Sequence, residues 1–192
     1  MKSVITTVIA LAAFAGLSVP GSAQMSLPET LSLSKESKIW IEGTSTMKSF
    51  SCAATRIDVA VSSEPGAAPN ELVESATLVV PVAALDCRNS TMNDHMRKAL
   101  KAANNPRISW KLNSYRVEGT TVVMNGLLTI AGTEKPIELR ATGAADPDGT
   151  IRMKGSTKFK MSEYGVKPPS LMLGTMKVGD PITVSFDLVL NP

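Results

Sequence analysis

The single histidine, His95, stands beside Asp94, and the two residue types could form an acid–base couple or polar contacts at a cavity mouth. The plainer reading, a boundary histidine donating a hydrogen bond to a neighbouring loop, is preferred. The two cysteines, Cys52 and Cys87, are not in CxxC spacing, and two Cys with one His fall short of a zinc ligand set unless carboxylates complete it. The serines include no GxSxG elbow, and one histidine leaves little choice of base. No phosphate loop or dinucleotide fingerprint appears, and Gly43 to Ser49 (GTSTMKS), though rich in Gly, Ser and Thr, reads better as a turn. The chain thus reads as a protein with no catalytic centre, metal site or cofactor.

These residues depend for their placement on one helix in a chain of strands, in the stretch from Leu85 to Leu112. Met92, Met96, Ala99, Leu100 and Ala103 follow the spacing of one helix face, with Asp94, Arg97, Lys98 and Lys101 opposite. Asn89, Ser90 and Thr91 can each cap the first turn, and Thr91 with Asp94 has capping-box spacing. Lys98 and Lys101 suit the carboxyl end of the helix dipole, and Asn104, Asn105 and Pro106 stop the helix. A narrow apolar stripe needs something to cover, and the remaining chain supplies a sheet.

The first 23 of the 192 residues read as an export leader: Lys2, an apolar run from Val4 to Leu17, and the small residues Gly21-Ser22-Ala23 at a cleavage point. The apolar run, at about 14 residues, is short for a membrane span. Residues 24–37 form an N-terminal lead-in, and 38–192 are one domain by size. Removing Lys2 lowers the formal net charge from +3 to about +2, a balance that points away from nucleic acid and from an anionic membrane surface. In a periplasmic or secreted protein the two cysteines are most simply a structural disulfide. Such a bridge would contribute roughly 4 kcal/mol in the chain-entropy model and pin the start of the helix to an early strand.

The strands show a period of two. Ile39 and Ile41 alternate with Trp40 and Glu42; Ile57, Val59 and Val61 with Arg56, Asp58 and Ala60. Ser62–Asn70 reads as a turn or exposed loop. Ala76, Leu78, Val80 and Val82 form the next inward set, where Pro81 marks an edge strand or a strand's end. Beyond Pro106, Ile108, Trp110 and Leu112 face one way, followed by Val122, Met124, Gly126, Leu128 and Ile130 after a turn at Gly119. Ala131–Pro136 is a tight turn before Ile137, Leu139 and Ala141, and Asp146–Gly149 (DPDG) is a hairpin turn. Ile151, Met153, Gly155, Thr157 and Phe159 alternate with polar residues, Ser162–Ser170 is a longer loop, and Ile182, Val184, Phe186, Leu188 and Leu190 close the chain.

Eight or so such strands demand an antiparallel sheet wetted on one side, buried by closure into a barrel or by stacking as a sandwich. A membrane barrel would turn the same face outwards. With 4% aromatic residues there are too few for two interfacial girdles, and a charged mid-chain helix has no place in it. No stable membrane insertion is expected.

Several strings, in this order, resemble the YceI-like family of exported, lipocalin-shaped proteins. They are IEGTSTMKSF (Ile41 to Phe50), NDHMRKAL with NPRISWKL, GLLTIAGTEKPIEL (Gly126 to Leu139) and VGDPITVSFDLVL (Val178 to Leu190). The resemblance covers Lys38 to Leu190. It implies an all-β, eight-stranded antiparallel lipocalin-like barrel with one short amphipathic helix near its mouth. It also implies an elongated apolar cavity that in family members holds an isoprenoid or similar long-chain lipid. Two features depart from the common pattern: Ala102-Ala103-Asn104-Asn105 replaces an aromatic pair after the helix, and Cys87 places the chain nearer a disulfide-bearing branch.

On composition, the ten methionines and the inward apolar residues suit an ordinary core as well as a ligand lining. The resemblance favours the lining. Its expected wall is Met96, Leu100, Trp110, Leu112, Met124, Leu128, Phe159 and Phe186, with Asn93, Asp94 and His95 orienting a head group. The function expected is sequestration or transport of an isoprenoid or quinone-like amphiphile, by burial of its tail. The alternatives are a filled barrel serving as a periplasmic structural or interaction protein, and, well behind, an enzyme using His95. A homodimer is compatible with either binding reading.

Overall fold

In a computed structural model, which describes residues 31–63, 73–171 and 175–192, the alternating stretches form one curled antiparallel sheet with a single short α-helix. The strands are β1 (Ser32–Leu33), β2 (Lys38–Ser45), β3 (Ser49–Ala54), β4 (Asp58–Ser63), β5 (Val73–Pro81) and β6 (Leu85–Asp86). The helix α1 (Ser90–Ala99) follows. After it come β7 (Arg107–Glu118), β8 (Thr121–Ile130), β9 (Thr133–Ala145), β10 (Ile151–Lys160), β11 (Ser170–Leu171) and β12 (Met176–Asn191). Ten of them make a half-barrel in the order β4-β5-β7-β8-β9-β10-β12-β2-β3-β6, while β1 and β11 pair with β12. The leader over residues 1–23 and residues 64–70 of the expected loop lie outside the described residues.

Alternation determines which side faces in. Along β10 every odd residue from Ile151 to Phe159 is half-buried and every even one is exposed. The inward residues Ile39, Val80, Met124, Ala141, Phe186 and Leu188 meet in one apolar cluster. β12 departs from the pattern at its end, where Val189 is buried as well as Leu188 and Leu190. Residues 31–37, within the expected lead-in, run alongside this end: β1 pairs with Leu190 and Asn191, and Ser37 Oγ accepts from Val189 N at 2.9 Å.

The number of strand segments exceeds the eight or so expected because two long stretches are broken by bends and the two-residue β1 and β11 add two more. Ala53 and Ala54 of β3 pair with Asp86 and Leu85 of β6; Thr55 N donates to Ala84 O at 2.8 Å; beyond the bend Asp58 of β4 pairs with Val79 of β5. A 3₁₀ turn, Val82–Ala84, joins β5 to β6. β5 is interior, between β4 and β7, so Pro81 marks its end and not an edge.

Two turns differ from expectation. The β8–β9 connection is only Ala131-Gly132, both at positive φ (50° and 83°), as a two-residue primed turn requires. Pro136 therefore falls inside β9, opposite Leu127, in the half of the strand before its pairing with β10 over Ala141–Ala145. The Ser162–Ser170 stretch is not simply a surface loop. A 3₁₀ turn, Met161–Tyr164, folds Tyr164 and Val166 inwards against Ile130 and Ala131.

The helix is shorter than its apolar stripe. Asn89 is the cap that is used, its Oδ1 accepting from Met92 N at 2.9 Å, so the Thr91–Asp94 capping box does not form. At the other end Lys101 takes φ 52°, Lys101 N donates to Lys98 O and Ala102 N to Arg97 O. That pair of bonds is a Schellman ending, which stops the helix before Ala103 and the Asn-Asn-Pro stretch.

Candidate functional site

The concave face encloses a cavity of about 690 Å³. One end is bounded by the β2–β3 turn, α1, the start of β12 and the 3₁₀ turn at Met161–Tyr164; the wall continues inward along β2, β7, β8, β10 and β12. Its lining is overwhelmingly apolar. Ser45, Lys48, Asn89, Thr91 and His95 supply its polar groups at the β2–β3 turn and the helix, and Thr157 adds one on β10.

Large side chains line this space without filling it because three aromatic rings lie against glycines. Phe50 covers Gly43 across the β2–β3 pair, Phe186 covers Gly155 across β10–β12, and Trp110 covers Gly126 of β8. A Cβ at Gly43 would stand 2.5 Å from the Phe50 ring; at Gly126 and Gly155 it would stand 2.6 Å from Trp110 and Phe186. Each glycine thus gives up its own side chain so that a ring can lie flat along the wall, which keeps the lumen open. The indole N–H of Trp110 has no hydrogen-bond partner and is covered by this packing.

The helix closes part of the end. Met92, His95, Met96, Ala99 and Leu100 face the cavity, and Leu100, like Leu128 and Phe159, also packs against the cluster of Ile130, Ala131, Tyr164 and Val166. Phe159 and Tyr164 meet edge-on with centroids 5.2 Å apart, and burial raises the Tyr164 hydroxyl above its ordinary pKa. The other part lies between the amino-terminal turns of α1 and the β2–β3 turn.

Cys52 and Cys87 form a disulfide that is itself part of the wall. Cys52 is buried in β3, while Cys87 precedes α1, and the Met96 sulfur lies 3.9 Å from Cys87 Sγ. Asn93 secures the same junction: its Oδ1 accepts from Cys87 N at 2.8 Å and its Nδ2 donates to Asp86 Oδ1 at 2.9 Å. That bond, with a second from Arg88 N, holds the Asp86 carboxyl below its ordinary pKa.

Eight of the ten residues expected at the site therefore share one cavity: His95, Met96, Leu100, Trp110, Met124, Leu128, Phe159 and Phe186. Two do not. Asn93 spends its amide on the helix junction, and Leu112, just before a register shift in β7, packs against the core outside the cavity wall. Asp94 turns to Arg97, 3.4 Å away, so its carboxylate is committed to an ion pair and not to His95. Among the described residues no three His, Cys, Asp or Glu side chains cluster as a metal site. Residues missed at the cavity include Met47, Lys48 and Tyr164. Phe50 and Phe186 carry a signal readable in retrospect, since each faces a glycine across its strand pair.

Comparison with known proteins bears on this architecture. Residues 33–190 match the family model of the YceI-like domain. A search of curated proteins finds no significant match. Among solved structures, BcnA of Burkholderia cenocepacia is similar with a TM-score of 0.68 and 21% identity, over 80% of this chain and 96% of that one. A polyisoprenoid binding domain from Saccharophagus degradans gives 0.67 and 13%, over 84% and 97%. A YceI protein of Campylobacter jejuni gives 0.60 and 21%, over 73% and 84%. At these identities the likeness to the solved structures is one of fold.

Proposed function

From the premise that the chain belongs to the YceI-like family, we propose that it is an exported lipid-binding protein that holds an isoprenoid or quinone-like amphiphile for sequestration or transport. The observation that carries this reading is the apolar cavity of about 690 Å³, a volume in the range of small-molecule sites. Each ~100 Å² of tail buried there would contribute about 2.5 kcal/mol, so a long prenyl chain supplies most of the affinity without specific contacts. Met96, Leu100, Trp110, Met124, Leu128, Phe159 and Phe186 would contact the tail. His95, with Asn89, Thr91 and Lys48, would orient a head group, while Asn93 keeps a structural task. The polyisoprenoid-binding domain among the fold relatives supports the choice of ligand class.

The same reading takes the sheet as a closed, eight-stranded barrel. Counting β3 with β4 and β5 with β6 as single bent strands, the two ends of the sheet order become one continuous pair, and the Thr55–Ala84 hydrogen bond spans the bend. Closure also removes the exposed edges that a half-barrel would present. Export to the periplasm or beyond is supported by the leader-like residues 1–23 and by the disulfide, which persists in oxidising compartments.

The test is bulk. Leu128→Trp combined with Met124→Trp should abolish loading with prenyl lipid while the melting temperature stays near wild type. If the barrel has no room, the same pair overpacks it and costs about 1–3 kcal/mol or more. A destabilised variant, or one that still loads fully, contradicts the proposal and favours a filled interaction protein.

A further inference from the structure

Met47 is 71% exposed, by far the more exposed of the two large apolar side chains at the described surface, the other being Val117. It is also part of the cavity's rim. Its exposure is built in and does not come from a loose loop. Ser45 Oγ accepts from Met47 N and Lys48 N at 3.3 and 3.2 Å and donates to Lys48 O at 2.8 Å. Thr46 ties the same turn to β12, its N donating to Lys177 O at 3.0 Å and its Oγ1 to Thr175 O at 3.2 Å. A backbone held at this many points presents the methionine outward at the cavity mouth.

Charge follows the same polarity. At the mouth end, exposed lysines come from every element: Lys48 on the β2–β3 turn, Lys98 and Lys101 on α1 and its ending, Lys160 and Lys167 around the 3₁₀ turn, and Lys177 on β12. The carboxylates there are fewer and engaged or outnumbered: Asp94 with Arg97, Asp180 with Ser162, Glu134 with Thr129, and Glu163. At the opposite end the charges roughly balance: Glu118, Asp146 and Asp187 pair with Arg116, Arg152 and Lys154, and Glu36, Glu74 and Asp148 stand with Lys35 and Lys38. The near-zero overall balance, which pointed away from an anionic membrane surface, conceals an end-to-end asymmetry.

We propose that the mouth end docks on an anionic lipid bilayer, Met47 entering the acyl boundary while the surrounding lysines face headgroup phosphates. The apolar rim and the cavity then become continuous with the membrane interior, and a lipid passes between them without crossing water. An anionic bilayer fits better than a protein groove because the cations are spread around the rim and come from four separate segments, as a delocalised planar field of negative charge would meet them. The inference rests on the lipid-cavity reading for what is exchanged, and the experiment separates the two.

Co-sedimentation with phosphatidylcholine vesicles, with and without phosphatidylglycerol, measures docking. Loading with a prenyl lipid delivered from detergent micelles measures the cavity independently. The wild type should bind only the phosphatidylglycerol-containing vesicles, and less as salt rises. Met47→Ser should weaken binding about tenfold, and Lys167→Glu with Lys177→Glu by more. Lys38→Glu, at the opposite end of β2, should leave binding unchanged. The wild type and the two lysine-to-glutamate proteins should load equally from micelles. Wild type that ignores anionic vesicles overturns the docking, as does binding that survives both mouth variants or interaction confined to a protein partner. In those cases retained micelle loading leaves the cavity reading standing. Vesicle binding without loading from either source fails the cavity reading instead.

Discussion

Removing the disulfide is the perturbation whose size follows most directly from the structure. Cys52 and Cys87 are 35 residues apart, and a loop of that length corresponds to about 4 kcal/mol of unfolded-state entropy. Alanine is the replacement to use at both positions, because Cys52 is 2% exposed and a serine hydroxyl there would add a burial cost of about 1–3 kcal/mol. For a chain of this size 4 kcal/mol lowers the melting temperature by roughly 8–16 °C. A domain with the usual 5–15 kcal/mol of stability stays folded at room temperature. Thermal unfolding followed by circular dichroism, on Cys52→Ala/Cys87→Ala and on wild type with and without reductant, reads the effect. Reduced wild type and the double variant should melt together, well below the oxidised protein. A difference under about 3 °C would mean that β3 and the start of α1 are held by Asn93 and packing alone, and the entropic argument would fail.

Gly155→Ala should cost about 1–3 kcal/mol, since the new Cβ meets the Arg140 carbonyl and the Phe186 ring; chemical denaturation with near-ultraviolet circular dichroism reports both the loss and the moved ring. Asn89→Ala removes the cap accepted by Met92 N and should cost about 0.5–2 kcal/mol in the same assay. Asp86 has a lowered pKa from its bonds to Asn93 and Arg88, so its contribution is fully present above pH ~4 and is lost as the pH falls below that toward the folded value. Asp86→Asn should therefore melt below wild type at neutral pH, with the gap closing under pH ~4; a gap constant with pH would refute the assignment.

The strands were readable because burial on one face writes a period of two into the residues themselves, as β10 does over its whole length. Bends and tight turns were less so. Nothing in Thr55–Ile57 or Val82–Ala84 signals that hydrogen bonding continues past the corner, and Ala131 at positive φ looks like an ordinary strand residue. The apolar stripe ran on to Ala103 because hydrophobic spacing does not register a Schellman ending carried by a lysine. At the site, the period of two places Trp110, Met124, Leu128 and Phe186 on one surface, yet it does not separate wall from core, and so it groups Leu112 with them. The position of Asn93 on the helix points to the mouth, whereas its role depends on Cys87 and Asp86, fixed only once β6 meets β3. The exposed Met47 was hidden in a Gly- and Ser-rich turn whose hydrogen bonds to β12 join residues some 130 positions apart.

The central claim is that the cavity holds lipid. Native mass spectrometry of the protein purified from its exported compartment, followed by solvent extraction and lipid analysis, tests it most directly. The account predicts a stoichiometric adduct that extracts as a prenyl or quinone-like lipid. A bare polypeptide mass that persists after incubation with such lipids would contradict it.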